Sequence, residues 1–186
     1  PSAEGNLTGD WQSYINRIEQ PGVGPGTQAR LQATTEANGE LSNNGDGSYR
    51  YRFATAIDAL PESILAQADT EGLDLSYDPA QTHRVAIQFA GGQVPANPDY
   101  DFIPATGATE NIFRREIANT ASCNSCHDQL ALHGGGRVEI NYCVTCHNPG
   151  STDANSGNTV DMKVMIHKIH MGAGLPSVQA GDEYAI

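Results

Sequence analysis

The chain has no long apolar segment and few aromatic or basic residues. Its 186 residues contain no run of 18 apolar side chains, aromatics make up 6%, and 10 Lys and Arg stand against 22 Asp and Glu. The missing apolar run argues against a transmembrane helix. The first residues, Pro1-Ser2-Ala3-Glu4, are not typical of a signal peptide. We therefore expect a soluble chain, either mature or cut from something longer.

The charge and composition exclude some functions. A formal net charge of −12 would repel nucleic acid and anionic membrane surfaces, whereas cations and mineral surfaces remain compatible partners. With 20 glycines and 10 prolines, the chain is rich in loops and has little apolar material for a deep core. A large flat cofactor could supply the apolar surface that the side chains lack.

The four cysteines form two copies of one motif. Residues 123–127 and 143–147 both have the pattern Cys-x-x-Cys-His. This pattern is the attachment signature of c-type haem, in which two thiols add across the porphyrin vinyl groups and the histidine ligates the iron. The sequence therefore predicts two covalently attached haems c. The predicted attachment and proximal ligand residues are Cys123, Cys126, His127, Cys143, Cys146 and His147.

Two other interpretations fit the same cysteines. The spacing Cys-x2-Cys-x16-Cys-x2-Cys lies within the range of a four-cysteine zinc ribbon, and a single pair could form a redox disulfide. A zinc ribbon needs no histidine after each pair. Five of the six histidines also lie in the last third of the chain, where four thiolates would already saturate a zinc ion. Both features favour haem.

Three further histidines are candidates for the sixth position of each iron. His133 lies six residues after His127 and directly before Gly134-Gly135-Gly136, where the backbone could approach a porphyrin closely. The spacing lets His133 reach a neighbouring haem, so we expect it to bind the second iron. His83 alternates in register with the apolar residues Val85, Ile87 and Phe89 of a predicted strand. It is therefore interpreted as a histidine at a strand edge rather than a ligand.

The segment 161–171 has helical spacing and contains His167 and His170. These histidines are three residues apart, so they could serve two different irons but not opposite sides of one. Three candidates exceed two vacancies: either one is spare, or this helix ligates a further haem attached outside the chain. Met162, Met165 and Met171 are alternative axial ligands, although methionines on such a stripe more often pack.

Ligation by two histidines would leave no open iron position. The chemistry would then be one-electron transfer rather than bond making, so we expect an electron carrier and not an enzyme. A haem enzyme, such as a dihaem peroxidase or multihaem reductase, would need one iron with an open site. Covalent haem attachment also indicates a location outside the cytoplasm.

The first half of the chain has β-strand patterns. Residues 43–47 have hairpin turn chemistry and are followed by alternating Tyr49, Tyr51 and Phe53, which predicts a half-buried strand with its aromatics inward. Residues 61–68 favour a short helix, residues 83–90 a second strand, and residues 116–129 a partly helical segment. Residues 1–30 are expected to be irregular. We place a domain boundary near residue 105, with a partial β-sandwich in 1–105 and a haem-organised segment of short helices and loops in 106–186.

Residues 123–150 (CNSCHDQLALHGGGRVEINYCVTCHNPG) and 160–172 (VDMKVMIHKIHMG) resemble the OmcA/MtrC family of outer-membrane multihaem cytochromes. Residues 11–15, 43–55 and 101–107 are similar to its N-terminal β-domain. The resemblance implies a Greek-key β-sandwich followed by a haem domain, at the cell surface of a Gram-negative bacterium. It implies electron transfer to metal oxides or flavins, and distal ligands at His133, His167 and His170. Family members have about ten pentads, so the resemblance implies a piece of a larger cytochrome or outer-membrane electron conduit.

The first prediction concerns covalent attachment. When the chain is produced in a host that matures c-type cytochromes, its mass under denaturing conditions should exceed the polypeptide mass by two haem groups. Cys143→Ala combined with Cys146→Ala should remove one of them, because thioether bonds need the thiols. An intact mass without any added prosthetic group would contradict the haem interpretation and favour the zinc ribbon.

Overall fold

The computed structural model describes residues 11–89, 94–114 and 116–183 as a succession of short strands and helices. The strands are β1 (Asn16–Glu19), β2 (Arg30–Ala33), β3 (Glu40–Asn43), β4 (Tyr49–Arg52), β5 (His83–Ala86) and β6 (Asp99–Phe102). The helices are α1 (Glu62–Thr70), α2 (Thr120–Asn124), α3 (Ile140–Cys143), α4 (Met162–Met171) and α5 (Pro176–Gln179), with a 3₁₀ turn at Gly172–Gly174. This mixture of small sheets and short helices confirms the mixed class. Within the described ranges, no helix is long and apolar enough to cross a bilayer.

The strands pair as antiparallel neighbours along the chain. β1 pairs with β2, β3 with β4, and β5 with β6, which gives three two-stranded sheets among the described residues. The β3–β4 turn confirms the predicted hairpin, since Asn44 N–H donates to Ser48 O and both Gly45 and Gly47 have positive φ. The predicted helix at 61–68 is confirmed as α1, with Pro61 at its N-cap.

Two expectations about the first half were wrong. Residues 1–30 are not wholly irregular, because Asn16–Glu19 forms β1 and pairs with β2; residues 1–10 lie outside the described part. The aromatic face of β4 does not point inward. Tyr49 is 62% exposed and Leu41 on the paired strand is 67% exposed, while Tyr51 donates to Glu36 Oε1. Alternation predicted the strand but not what covers its apolar face.

The contacts divide the chain into two compact units, each built from two segments. The first unit joins the described part of Pro1–Gln12 to Asp78–Pro149, and the second joins Ser13–Tyr77 to Gly150–Ile186. The Cys-x-x-Cys-His pentads belong to the first unit. Helix α4 belongs to the second.

The second unit has a small apolar core beneath β1, β2 and α1. Leu31, Ala68 and Leu75 are buried there, and the partly buried side chains packed against them are Ile18, Leu60, Ile64 and Leu73. Leu31 N–H also donates to Glu71 Oε1 at 2.7 Å, which connects β2 to the end of α1.

The loop that precedes α4 is held against the start of the second unit. Gly22 N–H and Val23 N–H donate to Asn155 Oδ1, and Gly26 N–H donates to Asn155 O. A Cβ at Gly26 would lie 1.9 Å from Ala154 O, so only glycine allows this approach. Asp153 reinforces the loop, because it accepts from Ser156 N–H at 2.7 Å and Gln32 Nε2–H at 3.1 Å.

The first unit has a different interior. Its buried apolar side chains, among the residues described, are Val138, Tyr142 and Cys143. Its buried polar side chains are at least as prominent and comprise Thr82, His83, Asn97, Asp101 and Asn148. Hydrogen bonds rather than an apolar core therefore hold much of this unit together.

The second prediction concerns the core of the second unit. Leu31 is only 2% exposed, so Leu31→Ala should lower the free energy of unfolding by about 2–5 kcal/mol. Leu41→Ala is the matched control on the exposed face of β3 and should change it by no more than about 0.5 kcal/mol. Urea unfolding of the haem-loaded chain measures both. Equal effects would show that the core lies elsewhere.

The third prediction concerns pH. Burial raises the pKa of Asp153, but hydrogen bonds from Ser156, Gln32 and Asn155 outweigh it and lower the pKa below its ordinary value. A lowered folded-state pKa stabilises the fold above the unfolded pKa of about 3.9, and this stabilisation is lost as pH falls through the folded pKa.

Asp153→Asn should therefore destabilise the chain at pH 7 and much less at pH 3, as measured by urea unfolding at both values. Leu31→Ala, which removes no ionisable group, is the control for pH effects elsewhere. A penalty for Asp153→Asn that is the same at both pH values would contradict the assignment.

Candidate haem-binding site

The two pentads have the same local conformation. Each follows a short helix, α2 or α3, and closes with the same two backbone hydrogen bonds. Cys126 N–H and His127 N–H both donate to Cys123 O, at 3.2 and 3.0 Å. The second pentad repeats this arrangement, in which Cys146 N–H and His147 N–H donate to Cys143 O at 3.1 and 2.9 Å. In each pentad the turn brings the backbone N–H groups of the second cysteine and the histidine to the carbonyl of the first cysteine.

The helices before the pentads begin in different ways. Asn119 caps α2, since its Oδ1 accepts from Ser122 N–H at 2.8 Å. Glu139 precedes α3 without a side-chain cap of its own. The predicted partial helix in 116–129 is confirmed as α2, whereas α3 was not predicted, because four residues are too few to show a helical period.

The four cysteines are not joined by disulfide bonds and differ in exposure. Cys143 is buried, Cys123 and Cys146 are half-buried, and Cys126 is exposed. In the described residues, which include every cysteine and histidine, no three or more His, Cys, Asp or Glu side chains are grouped as metal ligands. Burial raises the pKa of the Cys143 thiol, with Arg137 opposing it.

The rings of His133 and His147 lie close together. Their ring centroids are 5.9 Å apart, with an angle of 39° between the ring planes. Two imidazoles that bind one metal ion from opposite sides have centroids about 6 Å apart, because each metal–nitrogen bond is about 2 Å. The pair therefore has the spacing that two axial ligands of one iron require.

The backbone around His133 is shaped to present its ring. His133 has φ +51°, and Gly134 and Gly135 follow with φ +77° and +86°. Few side chains other than asparagine, aspartate and histidine adopt this left-handed conformation. Leu132 and Arg137 close the loop by exchanging two backbone hydrogen bonds. The glycines thus allow a tight loop, and His133 is the first residue of that loop.

The surroundings of His133 favour the neutral form of its imidazole. Partial desolvation lowers its pKa, and the positive charges of Arg137 and His147 lower it further. A lowered pKa keeps the imidazole neutral at neutral pH, which is the form that ligates iron.

The residues around the pentads fit a porphyrin. The haem-binding segment leaves large apolar side chains in solvent, including Ile117 at 73% exposed and Leu132 at 51%. His127 and Cys126 are exposed as well. A covalently attached haem requires a thiol pair, an axial imidazole and uncovered apolar side chains. The donor set and its surroundings therefore fit haem c.

Helix α4, in the second unit, positions the two remaining candidates. Its predicted span is confirmed, with Asp161 Oδ1 capping its start by accepting from Lys163 N–H. None of its residues is buried, and His167 and His170 are both exposed. His170 Nδ1 lies 2.9 Å from Ile166 O, so a proton on Nδ1 puts the lone pair on Nε2. The methionine stripe packs only partly, since Met162 and Met165 are half-buried and Met171 is 43% exposed.

Sequence reasoning missed a buried ionic cluster in the first unit. Asp101, 1% exposed, accepts two hydrogen bonds from Arg84, at 2.7 and 2.8 Å, and pairs with Arg114 at 2.9 Å. The Arg84 guanidinium also lies over the Trp11 ring and donates to Asn141 O at 3.2 Å. No sequence signal marks these residues, because partners 17 and 57 positions apart have no common period. His83 is buried at the start of β5, beside Gln81 O.

Comparisons with known proteins give two family matches that together cover most of the chain. The family described as the OmcA-like N-terminal domain matches residues 2–109, and the family described as outer membrane cytochrome MtrC/MtrF-like, domains II/IV, matches residues 115–184. These matches place the chain in the class of outer-membrane multihaem cytochromes.

Two individual proteins show the same relationship. The multiheme cytochrome MtrC of Shewanella baltica (strain OS185) is 33% identical over 151 residues, which cover 76% of this chain and 21% of that protein. The crystal structure of the outer membrane decaheme cytochrome OmcA matches with a TM-score of 0.76 and 33% identity, over 89% of this chain and 24% of that one. This chain belongs to the OmcA/MtrC family, and it spans about a quarter or less of the length of these relatives.

Proposed function

We propose that the chain is a dihaem portion of an outer-membrane multihaem cytochrome that carries single electrons in extracellular respiration. The observation that carries this proposal is the repeated pentad conformation together with the 5.9 Å separation of the His133 and His147 rings. Bound haem supplies an iron that changes between two oxidation states. The residues of the chain have to tether it, fill both axial positions and keep those positions unchanged in both states.

Each pentad performs the tethering. Cys123 and Cys126 would attach the first haem and Cys143 and Cys146 the second, with His127 and His147 as the proximal ligands. His133 would be the distal ligand of the second haem, supplied by the loop that follows the first pentad. Such crossed ligation ties the two haem sites into one local structure, because a single stretch of chain contributes to both.

His167 and His170 would supply further axial ligands from α4. The 2.9 Å contact between His170 Nδ1 and Ile166 O supports a ligating role, because a backbone carbonyl that accepts from Nδ1 orients the ring and favours binding through Nε2. Either one of the three candidate histidines is spare, or α4 also ligates a haem attached outside the chain.

The biological role follows from the family. The matching family is described as an outer membrane cytochrome. We place the chain at the extracellular face of a Gram-negative outer membrane, where it would pass electrons to metal oxides or flavins as part of a larger cytochrome or conduit. The net charge of −12 is compatible with cationic and mineral acceptors and unfavourable for nucleic acid.

The domain organisation is part of the proposal. A β-domain in 1–105, completed as a Greek-key sandwich, would precede a haem domain beginning at 106. The limits of the two family matches, 2–109 and 115–184, support this boundary.

The fourth prediction tests the distal ligand. The oxidised wild-type chain should show low-spin haem by electron paramagnetic resonance at the second site and resist cyanide there. His133→Gly removes the imidazole but tolerates φ +51°, so the backbone should survive. One haem should then become high-spin and bind cyanide, and added imidazole should restore the low-spin signal.

His83→Gln is the control, because it alters a histidine outside the candidate ligands and should leave both haems unchanged. An unaltered spectrum in His133→Gly would remove His133 from the ligand set. Rapid cyanide binding by the wild-type chain at the second haem would instead favour a haem enzyme with an open iron site.

A further inference from the structure

The stretch between His133 and Cys143 is anchored by the β5–β6 hairpin of the same unit. This stretch connects the proposed distal ligand of the second haem to its first attachment cysteine. Four side chains of the hairpin segment, Arg84, Gln88, Asn97 and Asp99, make hydrogen bonds to it. The partners lie 39–57 positions apart in the chain, so these contacts exist only in the folded protein.

Asn97 makes the central contact. It is 2% exposed, and its Nδ2–H donates to Gly136 O at 3.0 Å. Its Oδ1 accepts from Val138 N–H at 2.7 Å and Glu139 N–H at 3.3 Å. One amide therefore binds backbone on both sides of Arg137, in the manner of a neighbouring strand.

The backbone groups that Asn97 binds lead to His133 on one side and to the second pentad on the other. Gly136 belongs to the loop closed by Leu132 and Arg137, which carries His133 as its first residue. Glu139 is the N-cap residue of α3, and its carbonyl accepts from Cys143 N–H at 3.1 Å. A side chain that fixes Gly136 and Glu139 relative to each other thereby fixes the starts of both ligand-bearing segments.

Gln88 and Arg84 brace the same stretch at its edges. Gln88 Oε1 accepts from Arg137 Nε–H at 3.2 Å and Tyr142 Oη–H at 3.3 Å. A Cβ at Gly136 would lie 2.6 Å from Gln88 Nε2, so glycine lets the two segments meet closely. Arg84, itself held by Asp101, donates to Asn141 O in α3.

We propose that Asn97 is a positioning residue for the second haem. By bonding Gly136, Val138 and Glu139 together, it sets the separation between His133 and the second pentad. This inference rests on the proposed haem function of that pentad. The hydrogen bonds of Asn97 go to backbone groups, so it would act through the backbone that carries the ligands.

The chemistry of the position requires an amide. A buried group here must donate to one carbonyl and accept from two N–H groups, which asparagine can do and alanine cannot. Alanine would leave buried backbone groups without partners. The 132–137 loop and the start of α3 could then separate, and the His133 ring would move away from the distance needed for iron.

The test uses the haem-loaded chain with Asn97→Ala and Asn97→Asp. Both variants should keep both haems covalently attached by mass. In Asn97→Ala, one of the two haems should lose its low-spin signal wholly or partly in electron paramagnetic resonance, and its reduction potential should shift in a spectroelectrochemical titration. The other haem should be unchanged. Asn97→Asp keeps the acceptor for Val138 and Glu139 but loses the donor to Gly136, so it should give a smaller change at the same haem.

Leu31→Ala is the control for a general loss of stability, because it weakens the core of the other unit and should leave both haem spectra unchanged. Wild-type spectra and potentials in both Asn97 variants would overturn the positioning role and leave the proposed function intact. If Asn97→Ala does not accumulate, Asn97→Asp decides by the same criterion. A wild-type chain without attached haem would overturn both proposals.

Discussion

Two imidazole rings held 5.9 Å apart are the constraint on which the proposed second haem site depends. Neither ring can be placed by its own segment alone. His147 follows from the pentad turn at the end of α3, whereas His133 projects from a glycine loop that begins before that helix. Holding the loop and the helix at one separation is therefore the structural requirement of the site. Much of the first unit meets this requirement through hydrogen bonds and ion pairs.

The polar interior of the first unit is consistent with a cofactor that supplies the missing apolar surface. Val138, Tyr142 and Cys143 are the buried apolar side chains of its described part, all in or next to α3. The bidentate Arg84–Asp101 pair is buried and geometrically specific. Buried ion pairs contribute less to stability than their Coulomb energy suggests, because both charges lose their hydration, but they restrict geometry strongly. Such buried ion pairs fix the positions of side chains more than they add to the free energy of unfolding.

The sequence was sufficient for the parts of the site whose chemistry is local. Cys-x-x-Cys-His specifies its own turn, so the two pentads could be assigned from spacing alone, and their histidines are predicted to be the proximal ligands. Asp161–Met171 could be assigned as a helix for the same reason, since an apolar stripe and an N-capping aspartate both lie within it. Local rules also placed the β3–β4 hairpin.

Long-range contacts set the rest. Asn97 and Arg84 contact the haem-binding stretch across 39–57 positions, and no periodic pattern connects such residues. The inward direction expected for Tyr49 was wrong because alternation defines two faces of a strand but not which face is covered. Strand β1 was missed because four residues ending at Glu19 show too little alternation to stand out from their polar surroundings. Which iron His167 or His170 would bind depends on the three-dimensional placement of α4, which the spacing of residues does not contain.

An iron-edge anomalous difference map from crystals of the haem-loaded chain tests the central claim most directly, because it locates each iron independently of any assumed ligand. We expect one peak between the rings of His133 and His147, and a second beside His127. A peak beside His147 with the His133 ring turned away from it, or no iron at either pentad, would contradict the proposed site.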